Sequence, residues 1–225
     1  MSTLRQKLAA LTLGISLATV LTVLVTCHSS EDIESDDMDP LVLAKHDSIQ
    51  RAQPAANLHR QEILAGMEAG LHEDWEGSYA WSNGFESRVM DLNRRGFCYE
   101  YSHCTGTGEL AYGRVASVEG SRVHLAFLFR ECVDESPRDG RANFRMDDEL
   151  YSVPWAGERF LVPAVLMQEF CELALATGWD SMMYANYPRK IRSGEETSWF
   201  MRESVLGGLP EVPPEFRHFL PGSGG

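Results

Sequence analysis

The chain has 225 residues, 44% of them hydrophobic and 10% aromatic, which suits one folded domain with non-globular ends and excludes two full domains. Its formal net charge of −13 repels phosphate backbones and anionic lipid, so nucleic acid is not an expected partner. Any attachment to a membrane must then come from an apolar anchor and not from surface charge.

Such an anchor stands at the N-terminus. Arg5 and Lys7 precede Leu8–Thr26, an uncharged run of nineteen residues, and the acids Glu31, Asp32, Glu34, Asp36, Asp37 and Asp39 follow it. Basic residues before an apolar segment and acidic residues after it place the N-terminus on the cytoplasmic side and the body outside. The run closes on Leu24-Val25-Thr26-Cys27, and residues 1–27 resemble a bacterial lipoprotein signal. That resemblance implies cleavage before Cys27 and acylation of this cysteine, each buried methylene adding ~0.8 kcal/mol to the anchor. The same run could instead be retained as a transmembrane helix, since about 20 residues span the hydrocarbon core. Ordinary cleavage after Ser29 would release a soluble protein. The expected location is the cell envelope, with the body anchored on the non-cytoplasmic side and facing an unknown envelope partner.

Residues 28–74 read as an acidic tether with short helices. Asp39-Pro40 fits a cap followed by a first-turn proline, which predicts a helix to about Arg51. Pro54 then interrupts, and a second helix is expected over Asn57–Leu71, with Leu64, Met67 and Leu71 on one side. The globular domain is expected over 75–221, followed by a disordered Gly/Ser end at 222–225.

From Gly77 the hydrophobic period changes to two. Strands are predicted at Ser78–Trp81 and Phe85–Leu92 around the Asn83-Gly84 turn, then at Phe97–Cys104, Tyr112–Val118 and Arg122–Phe129. Phe97, Tyr99, Tyr101 and His103 share one face of their strand, and Cys98, Glu100, Ser102 and Cys104 the other. Val123, Leu125, Phe127 and Phe129 share a face of theirs. Cys132–Glu149 reads as a long loop. Leu150–Trp155 and Arg159–Val162 form another hairpin. Pro163 opens a helix to about Thr177 with Leu166, Phe170, Leu173 and Ala174 as its apolar stripe. Further strands are expected around Met182–Tyr187 and Ser198–Arg202. The fold class is therefore α+β, a mainly antiparallel meander that could form a half-closed barrel, packed by one C-terminal helix and preceded by the N-terminal apolar helix and tether. This pattern resembles the β-rich bodies of uncharacterised exported bacterial proteins.

Cys98, Cys104, Cys132 and Cys171 are disulfide candidates, an even number in an exported chain. Cys98 and Cys104 lie in one strand, ~20 Å apart when extended, too far for a bond. This leaves Cys104–Cys132 with Cys98–Cys171, or the reverse pairing. The first is preferred because the hairpins bring Cys104 and Cys132 towards one end of the sheet. Cys171, on an apolar stripe, is equally suited to a plain core position.

No catalytic, metal or cofactor residue is assigned. His103 and Cys104 are neighbours in a strand and point to opposite faces, so they cannot form a base–nucleophile pair. The seven histidines are scattered. Asp147-Asp148-Glu149 lacks the glycine and alternating ligands of a calcium loop. Arg189, Lys190 and Arg192 are a basic cluster suited to offsetting nearby acids such as Glu195 and Glu196. The expectation is a non-catalytic binding or scaffolding domain. The alternatives are a hydrolase with a carboxylate pair such as Glu76 or Glu86 with Glu100, and a barrel binding a small apolar ligand.

Overall fold

A computed structural model describes residues 39–68, 73–82, 85–103, 106–133, 146–175, 187–191 and 208–220. The lipoprotein-like segment with Cys27, the first part of the tether, Cys104, Arg192, the strand expected at 198–202 and the Gly/Ser end all lie outside these residues. The compact unit that holds the sheet begins at Pro40.

Its centre is a closed barrel of eight strands in sequence order. They are β1 (Gly77–Ser82), β2 (Glu86–Asn93), β3 (Gly96–His103), β4 (Gly106–Glu119), β5 (Arg122–Cys132), β6 (Glu149–Trp155), β7 (Glu158–Pro163) and β8 (Arg189–Lys190). Every pairing is antiparallel. Few residues separate consecutive strands from β1 to β5, in keeping with the alternating pattern of the sequence. The expected half-closed sheet is in fact closed. Two-residue β8 bridges the gap, pairing Arg189 with both Phe160 and Ala80, and Lys190 with Tyr79.

The N-terminal region differs from expectation. One helix, α1 (Pro40–Glu68, 29 residues), runs through Pro54 without a break. Proline removes one intrahelical bond, to the carbonyl of Gln50. Gln50 and Pro54 are both exposed, so water can satisfy that carbonyl. The opposite side of the helix carries Ile49, Ala56 and Ile63, all buried. This seven-residue spacing, widened by Ala52 and Met67, packs onto Cys98, Leu110, Tyr112 and Phe129 of the barrel wall. Leu64, expected on the apolar side, is exposed. α1 and the sheet fall within one compact unit, Pro40–Gly225.

On the other side, a 3-10 turn (Ala164–Leu166) leads into α2 (Met167–Leu175), which buries Met167, Phe170 and Cys171. Phe170 meets Trp155, Phe160 and Tyr187 at ring-centroid distances of 5.8, 5.8 and 5.1 Å. A second 3-10 segment (Pro214–Phe219) sets Phe216 against Tyr151. Helices therefore cover two flanks of the wall where one C-terminal helix was expected.

Bulges decide which residues enter the barrel. Phe127 pairs with Gly113 and Phe129 with Tyr112, leaving Leu128 as the extra residue. Phe127 accordingly packs edge-on against Phe97 inside, while Phe129 stacks on Tyr112 outside. The single face expected for Val123, Leu125, Phe127 and Phe129 is broken at this point.

Candidate functional site

Cross-strand register places Trp81, Arg88, Tyr101, Glu109 and Cys132 in one row around the inner wall. These residues lie near the strand ends that form one rim of the barrel. The next row inward holds Tyr79, Met90, Tyr99, Ala111 and Arg130. Alternation explains both rows, because Trp81 and Tyr79, Arg88 and Met90, or Tyr101 and Tyr99 stand two residues apart on one face.

The outer row is both aromatic and charged. The Arg88 guanidinium lies 4.9 Å from the Trp81 ring centroid and 4.5 Å from that of Tyr101. Rings on either side favour the cation by their negative faces. Arg88 is 4% exposed and Glu109 3%. Glu109 leans towards Arg130, whose Nε is 3.7 Å from Oε1, and the Arg130 guanidinium lies over the Phe127 ring. The Tyr101 hydroxyl donates to Oε1 of Glu86 at 3.0 Å. Burial holds the Tyr99 hydroxyl well above its ordinary pKa and the Glu109 charge adds to this, while the charge of Arg88 and its hydrogen bond to the hydroxyl oppose it.

Arg88 has unmet hydrogen-bonding capacity. Its Nε and Nη1, together with Nε1 of Trp81, are buried without a hydrogen-bond partner among the described residues. A buried donor left without a partner costs about 1–3 kcal/mol, more when it is charged. Among the described residues Arg88 also has no carboxylate at ion-pair distance, because Glu109 is drawn to Arg130 and Glu86 to Tyr101. The two nearby rings favour the charge, but they do not satisfy the Nε and Nη1 donors.

The residues singled out by sequence fall elsewhere. Glu86 is on the inner face and Glu100 on the outer, where Nη1 of Arg60 from α1 donates to it at 3.2 Å. Glu76 caps a turn, accepting from the backbone N–H of Glu73 at 3.0 Å and of Arg94 at 2.9 Å. The structure brings no two of these three carboxylates together. Arg189 pairs with Glu158 at 2.9 Å, and Lys190 donates to the Asp74 carbonyl at 2.8 Å. Phe97, Tyr99 and Tyr101 line the interior as core aromatics, but Trp155 packs with Phe160 and Phe170 against α2.

Cys98 and Cys171 are free thiols. Cys98 faces α1, donating to the Ala56 carbonyl at 3.6 Å, while Cys171 packs in the cluster around α2. Cys132 is on the inner wall, opposite the face that Cys98 occupies. These positions set Cys98 apart from Cys171 and Cys132, and a partner role for Cys104 falls outside the described residues. Among the described residues no group of His, Cys, Asp and Glu could hold a metal ion, and no helix is long and apolar enough to cross a membrane.

The row around Arg88 was missed in the sequence. Its signal is a charge on an apolar face: Arg88 stands at period two from Met90 and Leu92. No family model matches the chain, and neither a curated protein nor a solved structure matches it.

Proposed function

We propose that the chain is a non-catalytic binding protein of the cell envelope, held to a membrane by its N-terminus and using the rim of its barrel to hold a small ligand. The observation that carries this reading is the inner row Trp81–Arg88–Tyr101–Glu109, where a guanidinium 4% exposed keeps two nitrogens without hydrogen-bond partners. Buried polar groups in folded proteins are ordinarily satisfied, and each exception calls for a physical reason. A bound molecule is such a reason, and the mouths of β-barrels are frequent ligand sites. The N-terminal basic, apolar and acidic sequence supports the envelope location, with Cys27 as the acylation site.

The test is mass spectrometry of the full chain purified from its native membrane, first under native and then under denaturing conditions. The expected result is a non-covalent adduct of one small molecule per chain that is lost on denaturation. The denatured chain is expected to start at Cys27 with a diacylglyceryl or triacyl addition. A chain that carries no adduct and cannot take up any small molecule would overturn the binding reading. An unmodified full-length mass would replace the lipid anchor with a transmembrane helix.

A further inference from the structure

We infer that Arg88 is the anchoring cation of a site for a small monocarboxylate, a proposal that rests on the binding reading above and names the ligand class. The unpartnered Nε and Nη1 of Arg88 are donors only, so the group they await is an acceptor. A guanidinium 4% exposed in the protein interior is best matched by an oxyanion, which satisfies the donors and neutralises the charge together.

The surroundings select among oxyanions. Glu109 lies in the same row, and Glu86 receives the hydroxyl of Tyr101 in that row. Arg130, also on the inner wall, is engaged by Glu109. Among the described residues this leaves the Arg88 guanidinium available with two carboxylates close by, on a chain of net charge −13. A doubly charged phosphate meets more repulsion than attraction in this setting, whereas a single negative charge is balanced by Arg88.

Size and orientation follow from the rows. Below Arg88 the interior is closed by Tyr79, Met90 and Tyr99, each fully buried. The carboxylate therefore points inward to Arg88, and the rest of the ligand extends towards the rim past Tyr101 and His103, whose rings are 5.9 Å apart. Trp81, Tyr101 and His103 offer apolar and aromatic surface there, so a short aliphatic or aromatic substituent fits better than a polar one.

The experiment is isothermal titration of the full chain with benzoate and hexanoate, with benzamide and inorganic phosphate as controls, on the parent, Arg88→Gln and Arg88→Lys. The expected result is saturable binding of the carboxylates at one site, at least tenfold weaker binding of benzamide and phosphate, and at least a tenfold loss in Arg88→Gln. Because removing a buried stacked cation could unfold the barrel, the side-chain Nε–H resonance of Arg88 is followed by nitrogen-15 NMR in the parent. It is expected to move with benzoate and not with benzamide. Carboxylate binding equal to that of the neutral amide, an unmoved Arg88 resonance, or no saturable carboxylate binding would each overturn the proposal. A neutral adduct on the native chain would leave the binding reading standing without the carboxylate. Absence of both adduct and binding would remove the two together.

Discussion

The imidazole Nε2 of His59 on α1 lies 2.8 Å from the carbonyl oxygen of Gly113 on β4, to which it donates, 54 residues further along the chain. Gly113 borders the bulge at Leu128, so this bond ties the N-terminal helix to the irregularity that sorts Phe127 inward and Phe129 outward. The same imidazole also sits 5.7 Å from the Tyr112 ring. His59→Ala leaves the carbonyl of buried Gly113 without its side-chain partner. The expected loss is about 1–3 kcal/mol, read from urea unfolding followed by fluorescence and far-ultraviolet circular dichroism. Coincident loss of helix and sheet signals would show α1 and the barrel unfolding as one unit. A helix signal lost at lower urea would make α1 a separately docked element.

Gly113 has no room for a side chain. A Cβ there would stand 2.1 Å from the Ala126 carbonyl oxygen, a backbone atom that cannot rotate away. The carbonyl of Gly113 is in turn 2.4 Å from where a Cβ on Gly96 would be. Gly113→Ala must therefore shift β4 or β5, and a cost of about 3 kcal/mol or more is expected. Ala126→Gly as a background mutation would not relieve it, since the clash is with the main chain. A melting temperature within a degree or two of the parent's would show that the wall is softer than its register implies.

Asp91 gives the protein a pH dependence of defined sign. Burial raises its carboxyl above the ordinary 3.8, outweighing the opposing effects of the Ser78 hydroxyl and the Arg60 guanidinium 3.1 Å away. Folded Asp91 thus holds its proton more tightly than unfolded Asp91. Its contribution to stability falls as pH rises from 3.8 through the raised folded value, and stays at the lower level above that. Asp91→Asn keeps an acceptor for Ser78 and abolishes the titration. The urea midpoint of the variant should therefore fall less than the parent's between about pH 4 and 7. Equal slopes in parent and variant would rule out Asp91 as the source.

The thiols should divide by burial. Burial pushes Cys98 up to about 11, with the nearby Arg60 charge opposing it, and pushes Cys171 to about 11 with the charge of Glu172 adding to the effect. The thiolate is the reactive form, so neither is expected to be alkylated by iodoacetamide in the folded protein at neutral pH. Both are expected to react in urea without any reductant, and peptide mapping assigns each site. Reaction of Cys98 only after reduction would mean a disulfide and a different arrangement of α1 on the wall.

Much of the sheet was legible because its chemistry is local. Phe97, Tyr99, Tyr101 and His103 alternate with Cys98, Glu100 and Ser102, and the inner and outer faces of β3 follow that alternation. Phe129 was misplaced because a bulge adds one residue and inverts the alternation beyond it, and nothing in Leu128 itself announces this. Pro54 was read as a break, yet α1 accommodates it, since the bond it removes faces water and the other side of the helix is held by Ile49, Ala56 and Ile63. The candidate site was hidden for a different reason. Trp81, Arg88, Tyr101 and Glu109 come from four strands, and only the cross-strand register makes them neighbours.

The amino-acid sequence by itself determined an antiparallel strand order from β1 to β5, the hairpin β6–β7 and the burial of Phe170 on α2, since side-chain period acts between residues close in the chain; Met167 and Cys171, rather than Leu166, Leu173 and Ala174, complete the buried face of α2. Closure of the barrel was decided by tertiary structure. It depends on the summed twist and stagger of all the strands, and it is completed by Arg189 and Lys190, two charged residues with no strand pattern of their own. The docking of α1 and the burial of Arg88 between two aromatic rings were settled the same way, because a side chain's surroundings are set by whichever distant strands the closed register brings alongside it.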